Sequence, residues 1–248
     1  MKNKKIALVT GAAKGMGLEW VKQLSTAGYT VILTARSLKK AEDAVKDLGV
    51  THTEIVPMKL EITESVDRDN LAKEIALSFG KLDLLVNNAG INSRTRGAIN
   101  EELFKKNVFI DELDAEELTN MVNVNATSPI LLANALKDVM AQSENPMVVN
   151  ISSWMSSITI KKDGGNYSYA VSKAALNMMN RAFANDVKPL GITSVVVNPG
   201  WVQTDMGGAK AALSPQESIS SMIKSVVNEV GLEQSGEFFN YDGAVHPW

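Results

Sequence analysis

Tyr169 and Lys173 have the side chains and the spacing that acid–base chemistry would use. In a helix, residues four apart lie on the same face. A tyrosine hydroxyl, with a pKa of about 10, is a poor base at neutral pH, but a nearby ammonium group favours its phenolate. The pair is therefore a candidate for proton transfer, although Tyr–Lys pairs with this spacing also occur as exposed surface neighbours.

A glycine-rich segment near the start of the chain is suited to phosphate binding. Gly11, Gly15 and Gly17 follow an apolar run and precede a helical pattern that begins at Leu18. Glycines permit a tight turn and let the backbone approach a pyrophosphate, which then faces the N-terminus of a helix. The alternative is an ordinary turn between a strand and a helix.

Short apolar runs alternate with longer segments of helical period along the chain. The runs are Ile6–Thr10, Thr30–Thr34, Ile55–Lys59, Leu82–Asn87, Met147–Ser152, Ile192–Asn198 and Gly236–Tyr241. The helical segments are Leu18–Ala27, Ala41–Leu48, Ser65–Phe79, Leu118–Met140 and Ser172–Val187. Continuous apolar strands that alternate with helices indicate right-handed crossovers in a buried parallel sheet. We expect an α/β fold, a doubly wound Rossmann-type parallel sheet of about seven strands with helices on both faces.

Two irregular stretches, residues 91–114 and 205–217, follow the carboxyl ends of predicted strands. Sheets of this kind bind ligands at that edge, so both stretches are candidate substrate-side loops, with variable surface loops as the alternative. No repeat or linker divides the chain. We expect one domain over residues 1–248, with a cofactor half over roughly 1–120 and a catalytic and substrate half over roughly 121–248.

Composition excludes several classes of function. A net charge of −3 and a pI of about 5.5 argue against nucleic acid as the main partner. The chain has no cysteine, which excludes thiolate chemistry, and its two histidines, His52 and His246, argue against a histidine metal site. The apolar run Ile6–Val9 is too short for a signal core or a membrane span, so we expect no membrane partner and a cytoplasmic location.

Four motifs in order resemble the short-chain dehydrogenase/reductase family. They are the glycine turn at 11–17, Asn87-Asn88-Ala89-Gly90, Tyr169-Ala170-Val171-Ser172-Lys173 and Asn198-Pro199-Gly200. Segments 199–208 and 241–248 further resemble the C-factor/sniffer-like carbonyl reductase branch of that family.

The resemblance implies a catalytic group of Asn125, Ser153, Tyr169 and Lys173. Ser153 would hydrogen-bond the substrate oxygen as charge develops on it. Lys173 would reach the nicotinamide ribose, and Asn125 would help to hold a water molecule that links Lys173 to solvent.

The choice of Ser153 depends on an insertion. Fifteen residues separate Ser153 from Tyr169, more than in many family members, and a loop at Lys161–Asn166 would absorb the excess. Ser156 and Ser157 are the alternatives.

NADP(H) is the expected cofactor. Ala35 stands at the end of the second strand, where a carboxylate would select NAD, and Arg36 and Ser37 follow it. Arg36 can pair with a 2′-phosphate, and Lys14 in the glycine turn could supply a second cation. In the family, basic residues at these two positions go with NADP, although each alone could be a solvated surface charge.

The resemblance also implies the remaining cofactor contacts. These are Gly11, Gly15, Met16, Gly17, Glu61, Ile62, Asn87, Ala89, Gly90, Pro199, Gly200, Val202 and Thr204, together with Tyr169 and Lys173. Glu61 stands where the family usually has aspartate. We expect no metal.

The sequence therefore predicts an NADPH-dependent oxidoreductase that reduces a ketone or aldehyde, with Tyr169 as the proton donor. Trp154, Trp201 and Met206 flank the motifs and could form an apolar pocket for a small carbonyl substrate, or could be core residues. In many family members, helices corresponding to Leu118–Met140 and Ser172–Val187 form the association surface, which suggests a homodimer or homotetramer.

Two other functions remain open. One is a 3-oxoacyl-thioester reductase, for which Arg94, Arg96, Lys105 and Lys106 would form a basic entrance. The other is a non-catalytic NADP-binding regulatory protein, which would have no need of Asn125, Tyr169 and Lys173 together.

Overall fold

A computed structural model describes residues 4–49 and 54–248, so His52 lies outside the described residues. In these ranges seven strands form one sheet in the order β3-β2-β1-β4-β5-β6-β7, with every neighbouring pair parallel. The strands are β1 (Ile6–Val9), β2 (Thr30–Ala35), β3 (Ile55–Lys59), β4 (Leu84–Asn87), β5 (Met147–Ile151), β6 (Thr193–Asn198) and β7 (Phe238–Asn240). The expected doubly wound Rossmann-type fold is confirmed, with β7 at the edge.

The helices cover both faces of this sheet. They are α1 (Gly15–Thr26), α2 (Leu38–Asp47), α3 (Ser65–Phe79), α4 (Ser93–Gly97), α5 (Glu101–Val108), α6 (Ala115–Val122), α7 (Ser128–Met140), α8 (Tyr167–Val187) and α9 (Pro215–Met222). The sheet therefore has a hydrophobic core on each of its two faces. One cluster joins the sheet to α1, α2 and α9 around Trp20 and Met222, and the other joins it to α3, α7 and α8 around Leu132 and Leu176.

The expectation of an irregular stretch over residues 91–114 is wrong. This stretch contains α4, α5 and a 3₁₀ turn at Ile110–Glu112. The asparagines that suggest a loop are helix caps, because the side chains of Asn92 and Asn100 accept hydrogen bonds from the first turns of α4 and α5. The stretch is anchored to α6 by an ion pair between Arg96 and the buried Glu117.

Residues 205–217 are a loop only as far as Ser214, because α9 begins at Pro215. Ser214 and Glu217 form a capping box, with Pro215 in the first turn. The sequence Ser-Pro-x-Glu carries this signal, and the interpretation of Ser214-Pro215 as part of a loop missed it.

The predicted helix Leu118–Met140 consists of α6 and α7 joined by a π-helical turn at Asn123–Thr127. Such turns widen a helix locally and are frequent at functional sites. This one contains Asn125. Leu131 on α7, and Val171 and Met178 on α8, are exposed apolar residues, and association through these helices stays a prediction.

Among the described residues, no helix combines the length and the apolar character needed to cross a membrane.

Candidate active site

The site lies at the carboxyl edge of the sheet, where β1 and β4 are neighbours. The chain proceeds from β1 toward β2 and β3 on one side, and from β4 toward β5 to β7 on the other. This reversal opens a crevice in which ligands of doubly wound sheets bind. The glycine turn after β1 and the segments after β4, β5 and β6 all end at this crevice.

The glycine turn exposes backbone without side chains where it leads into the N-terminus of α1. Gly11 and Gly15 have φ values of 61° and 56°, in the left-handed region that favours glycine. A Cβ at Gly17 would collide with the carbonyl oxygen of Gly11 and lie 2.6 Å from Nδ2 of Asn88. No side chain caps the first turn of α1, so its N–H groups and dipole are available to an anion. These residues fit a dinucleotide pyrophosphate.

Asn88, which sequence reasoning did not select, ties β4 to this turn. Its Nδ2 donates to the carbonyl oxygens of Thr10, at 2.9 Å, and of Gly11, at 3.3 Å. Thr10 Oγ1 in turn accepts from the backbone N–H groups of Asn88 and Ala89, each at 3.0 Å. The paired asparagines of the motif were the signal available, but only the fold shows which of them faces the turn.

Asn87, the other asparagine, joins neighbouring elements of the sheet, and its contact with the cofactor stays a prediction. Its side chain is buried and donates to Asn150 Oδ1 at 2.8 Å and to the Pro129 carbonyl at 3.1 Å. The Nδ2 group thus links β4 to β5 and α7, while the buried Oδ1 of Asn87 has no hydrogen-bond partner among the described residues.

Tyr169, Ser153 and Lys173 are brought together by α8 and the end of β5. Tyr169 lines a cavity and forms a hydrogen bond with the Ser153 side chain. Lys173 is buried, donates to the Ile151 carbonyl at 2.7 Å, and lies 6.0 Å from the centre of the Tyr169 ring. The alternatives to Ser153 are engaged elsewhere, because Ser156 bonds to Asn177 and Ser157 bonds to the Trp248 carbonyl.

Burial shifts the pKa values of Tyr169 and Lys173 in opposite directions. Burial raises the pKa of Tyr169 to about 12, and the bond with Ser153 acts in the opposite direction. Burial also lowers the pKa of Lys173 to about 8. Desolvation outweighs the bond with Ser153 in Tyr169, and the lysine nitrogen bonds to Ile151 rather than to the phenol. Stabilisation of the Tyr169 phenolate by Lys173 stays a prediction. At neutral pH, Tyr169 is therefore a neutral phenol that can donate a proton.

Asn125 is held by the π-helical turn and by two neighbours. Its amide exchanges hydrogen bonds with the backbone of Ile91, 2.8 Å in each direction, and donates to Ser172 Oγ at 3.0 Å. A Cβ at Gly90 would lie 3.2 Å from Asn125 Oδ1 and 3.6 Å from Lys173 Nζ. Both polar groups therefore border the space that the absent side chain leaves open.

The cavity beside Tyr169 has a volume of about 530 Å³. Ten predicted residues line it: Met16, Ser153, Trp154, Tyr169, Pro199, Gly200, Trp201, Val202, Thr204 and Met206. Four further residues, Asn92, Ser152, Met155 and Gly207, were not predicted. Trp154 and Trp201 are about half exposed, at 48% and 50%, so they form the cavity wall and are not core residues. No lining side chain carries a formal charge, which suits an uncharged ligand.

The two predicted phosphate-binding cations have different surroundings. Lys14 pairs with Asp205 at 2.5 Å, and both side chains are exposed. Arg36 is exposed after β2, and no carboxylate in the described ranges pairs with it. Ser37 caps α2 by accepting from the Lys40 N–H. Arg36 is thus the cation that is free to meet an anion beside the start of α2.

The Glu61-Ile62 segment after β3 is fixed by α3. Asp67 accepts from the Glu61 N–H at 2.9 Å, and Arg68 donates to the Ile62 carbonyl at 2.6 Å. Ile62 is buried in the core. This segment lies apart from the cavity of Tyr169, as Arg36 and Ser37 also do, which fits an elongated ligand that runs along the sheet edge.

Among the described residues, no cluster of three or more histidine, aspartate or glutamate side chains could hold a metal ion.

A family model described as short chain dehydrogenase matches residues 5–214, which is most of the chain. The chain belongs to the short-chain dehydrogenase family. The family resemblance drawn from the four motifs is confirmed, and with it an oxidoreductase class.

Three relatives place the chain more closely within this family. It is 34% identical to C-signal of Myxococcus xanthus over 169 residues, which cover 68% of this chain and 94% of that protein. It resembles the structure of NADPH-bound carbonyl reductase from chicken fatty liver, with a TM-score of 0.85, 30% identity and 99% coverage of both chains. Carbonyl reductase Sniffer of D. melanogaster also gives a TM-score of 0.85, with 29% identity and 99% coverage of both chains. The resemblance to the C-factor/sniffer-like branch is confirmed.

Proposed function

We propose that this short-chain dehydrogenase is an NADPH-dependent reductase that converts a ketone or aldehyde to an alcohol, with Tyr169 as the proton donor. The observation that carries the proposal is a neutral, half-buried phenol hydrogen-bonded to Ser153 at the wall of an uncharged, partly aromatic cavity. When bound, the reduced nicotinamide would supply the hydride for the carbonyl carbon. The protein has to orient the substrate oxygen and protonate it.

In this mechanism the substrate oxygen accepts hydrogen bonds from Ser153 and Tyr169. As negative charge develops on that oxygen, the Tyr169 proton moves to it and the alcohol forms. The phenolate left on Tyr169 is stabilised by the Lys173 ammonium behind the ring. Asn125 and Lys173, which both border the space at Gly90, form the route by which a proton from solvent returns to Tyr169.

Cofactor preference rests on Arg36. It stands free after β2, at the start of α2, where the 2′-phosphate of NADP would meet a guanidinium group and a helix N-terminus. The similarity to an NADPH-bound carbonyl reductase supports the same assignment. Lys14 can contribute to binding of the 2′-phosphate only if its ion pair with Asp205 opens. We therefore assign the larger part of the preference for NADPH to Arg36.

The acyl-thioester alternative has less support from the structure. Of the four basic residues of the proposed entrance, Arg96 pairs with Glu117 and Lys106 pairs with Asp114. Only Arg94 and Lys105 remain to attract an anionic carrier. A neutral carbonyl compound suits the uncharged cavity better.

Steady-state oxidation of NADPH and NADH with a panel of aromatic ketones, aldehydes, diketones and acyl thioesters tests the function. We expect turnover with uncharged carbonyl compounds and NADPH, and weaker turnover with acyl thioesters. Preferred reduction of an acyl thioester would replace the proposal with the acyl-thioester alternative. Cofactor binding without turnover of any class would favour the regulatory alternative.

A further inference from the structure

Asn177 is a buried polar residue on α8 to which the proposed mechanism gives no role. It follows Lys173 by four residues and Tyr169 by eight, so the three side chains lie on successive turns along one side of α8. Each of these turns contacts the segment that ends β5. Lys173 bonds to the Ile151 carbonyl, Tyr169 bonds to Ser153, and Asn177 bonds to the serines on either side of Ser153.

Both ends of the Asn177 amide are used in these contacts. Its Oδ1 accepts from Ser152 Oγ at 2.6 Å, and its Nδ2 donates to Ser156 Oγ at 2.9 Å. Ser152, Ser156 and Asn177 are each at most 4% exposed, so water does not compete for these bonds. Buried hydrogen bonds of this kind fix a geometry because breaking one leaves a polar group without a partner.

The Ser156 hydroxyl connects Asn177 to the backbone of Ser153. Ser156 Oγ donates to the Ser153 carbonyl at 2.5 Å, and the Ser156 N–H donates to the same oxygen at 3.0 Å. Ser153 itself is extended, with φ −162° and ψ 148°, and caps the 3₁₀ turn Trp154–Ser156 by accepting from the Met155 N–H at 3.2 Å. Ser153 therefore lies in a short segment, Ser152 to Ser156, whose first and last side chains both bond to Asn177.

We propose that Asn177 is a positioning residue that directs the Ser153 hydroxyl toward Tyr169 and the substrate oxygen by holding Ser152 and Ser156. The inference rests on the proposed function, since it assumes that Ser153 contacts the reacting oxygen. The alternative is that Asn177 only supplies hydrogen-bond partners to buried serines and thereby contributes to folding.

A double-mutant cycle separates these possibilities. Asn177→Leu replaces the amide with an apolar group of similar size, and Ser153→Ala removes the hydroxyl that it is proposed to direct. We expect each single variant to lower kcat about tenfold or more. In the Ser153→Ala background, Asn177→Leu should lower kcat no further, because the group through which it acts is already absent. The dissociation constant for NADPH should stay at its wild-type value in all variants.

Two controls keep the test interpretable. Asn185→Leu makes the same substitution at an exposed position of α8 and should leave kcat unchanged. If Asn177→Leu does not fold, Ser156→Ala removes one oxygen from the same network and should show the same dependence on Ser153.

A kcat for Asn177→Leu close to that of the wild type would overturn the inference. So would a double variant whose loss of kcat equals the product of the losses in the two single variants. In both cases a low kcat for Ser153→Ala alone would leave the proposed function standing. A near-normal kcat for Ser153→Ala would overturn the inference together with the proposed role of that serine.

Discussion

Tyr169 and Lys173 share one face of α8, and burial shifts their pKa values in opposite directions, to about 12 and about 8. Desolvation disfavours the charged form of each group, so the phenol holds its proton and the ammonium releases its proton more readily. A phenol that stays neutral across the physiological range suits proton donation in the reductive direction. The Lys173 charge, by contrast, is present mainly below pH 8.

The depressed pKa of Lys173 predicts how stability depends on pH. Between about pH 8 and the unfolded-state value of 10.5, the unfolded chain binds a proton at this lysine that the folded chain does not. The free energy of unfolding should therefore rise with pH in this window, with a slope approaching ~1.4 kcal/mol per pH unit from this group. Tyr169 has the reverse effect between pH 10 and about 12, so measurements should stop below pH 10.

Urea unfolding of the cofactor-free protein measures this effect at several pH values between about 7.5 and 9.5, a range that covers the lower part of the window. The difference in unfolding free energy between the wild type and Lys173→Met should grow with pH. Lys105→Met, which removes an exposed lysine, is the control for losing one positive charge. A difference that stays flat for Lys173→Met would show that the ammonium is not desolvated in the folded protein.

At the scale of elements, the segment between β2 and α2 is expected to set the choice of cofactor. Arg36→Asp replaces a cation with a carboxylate, which repels a 2′-phosphate and can bind the ribose hydroxyls of NAD. Charge-assisted hydrogen bonds contribute about 1.5–3 kcal/mol, so the ratio of kcat/KM for NADPH over NADH should fall at least about tenfold.

The control for this change lies on the same helix. Lys46→Asp makes the same charge change in the last turn of α2 and should leave the NADPH/NADH ratio close to that of the wild type. If Arg36→Asp also left the ratio unchanged, Arg36 could not be the residue that selects the cofactor.

The sheet and its main helices could be predicted from the sequence because their signals are local. Six of the seven strands are almost entirely buried and contain consecutive apolar residues, and the glycine turn stands directly between a strand and a helix. The capping signals of α4, α5 and α9 are also local, but Asn92, Asn100 and Ser214 are residue types that favour turns as well as helix N-termini.

The parts of the site that the sequence did not reveal depend on contacts between distant segments. Asn88 bonds to a turn that lies 77 and 78 positions away, and Lys14 pairs with Asp205 across 191 positions. The π-helical turn at Asn125 likewise lies in contact with α6, α7 and α8. No pattern in one segment carries that information.

In the whole molecule, the residues proposed for cofactor binding and those proposed for catalysis lie on different sides of the sheet. The glycine turn and Arg36 lie on the side of β1 to β3, and Ser153, Tyr169 and the cavity lie on the side of β5 and β6. We propose that the chain acts as one domain on this plan, with a cofactor half over roughly 1–120 and a catalytic half over roughly 121–248. A cytoplasmic location and association as a homodimer or homotetramer stay predictions.

This division means that chemistry and cofactor binding should be separable by one substitution. Tyr169→Phe removes only the hydroxyl, on the catalytic side, and leaves the glycine turn and Arg36 intact. Tyr167→Phe is the matched control, since the residue four positions after Tyr167 is Val171 and not a lysine.

The most direct test of Tyr169 as the proton donor is kcat for NADPH-dependent carbonyl reduction by Tyr169→Phe, measured together with its dissociation constant for NADPH. We expect kcat to fall at least about 100-fold while the dissociation constant is unchanged, and Tyr167→Phe to behave like the wild type. Near-normal turnover by Tyr169→Phe would contradict the assignment of Tyr169 as the proton donor.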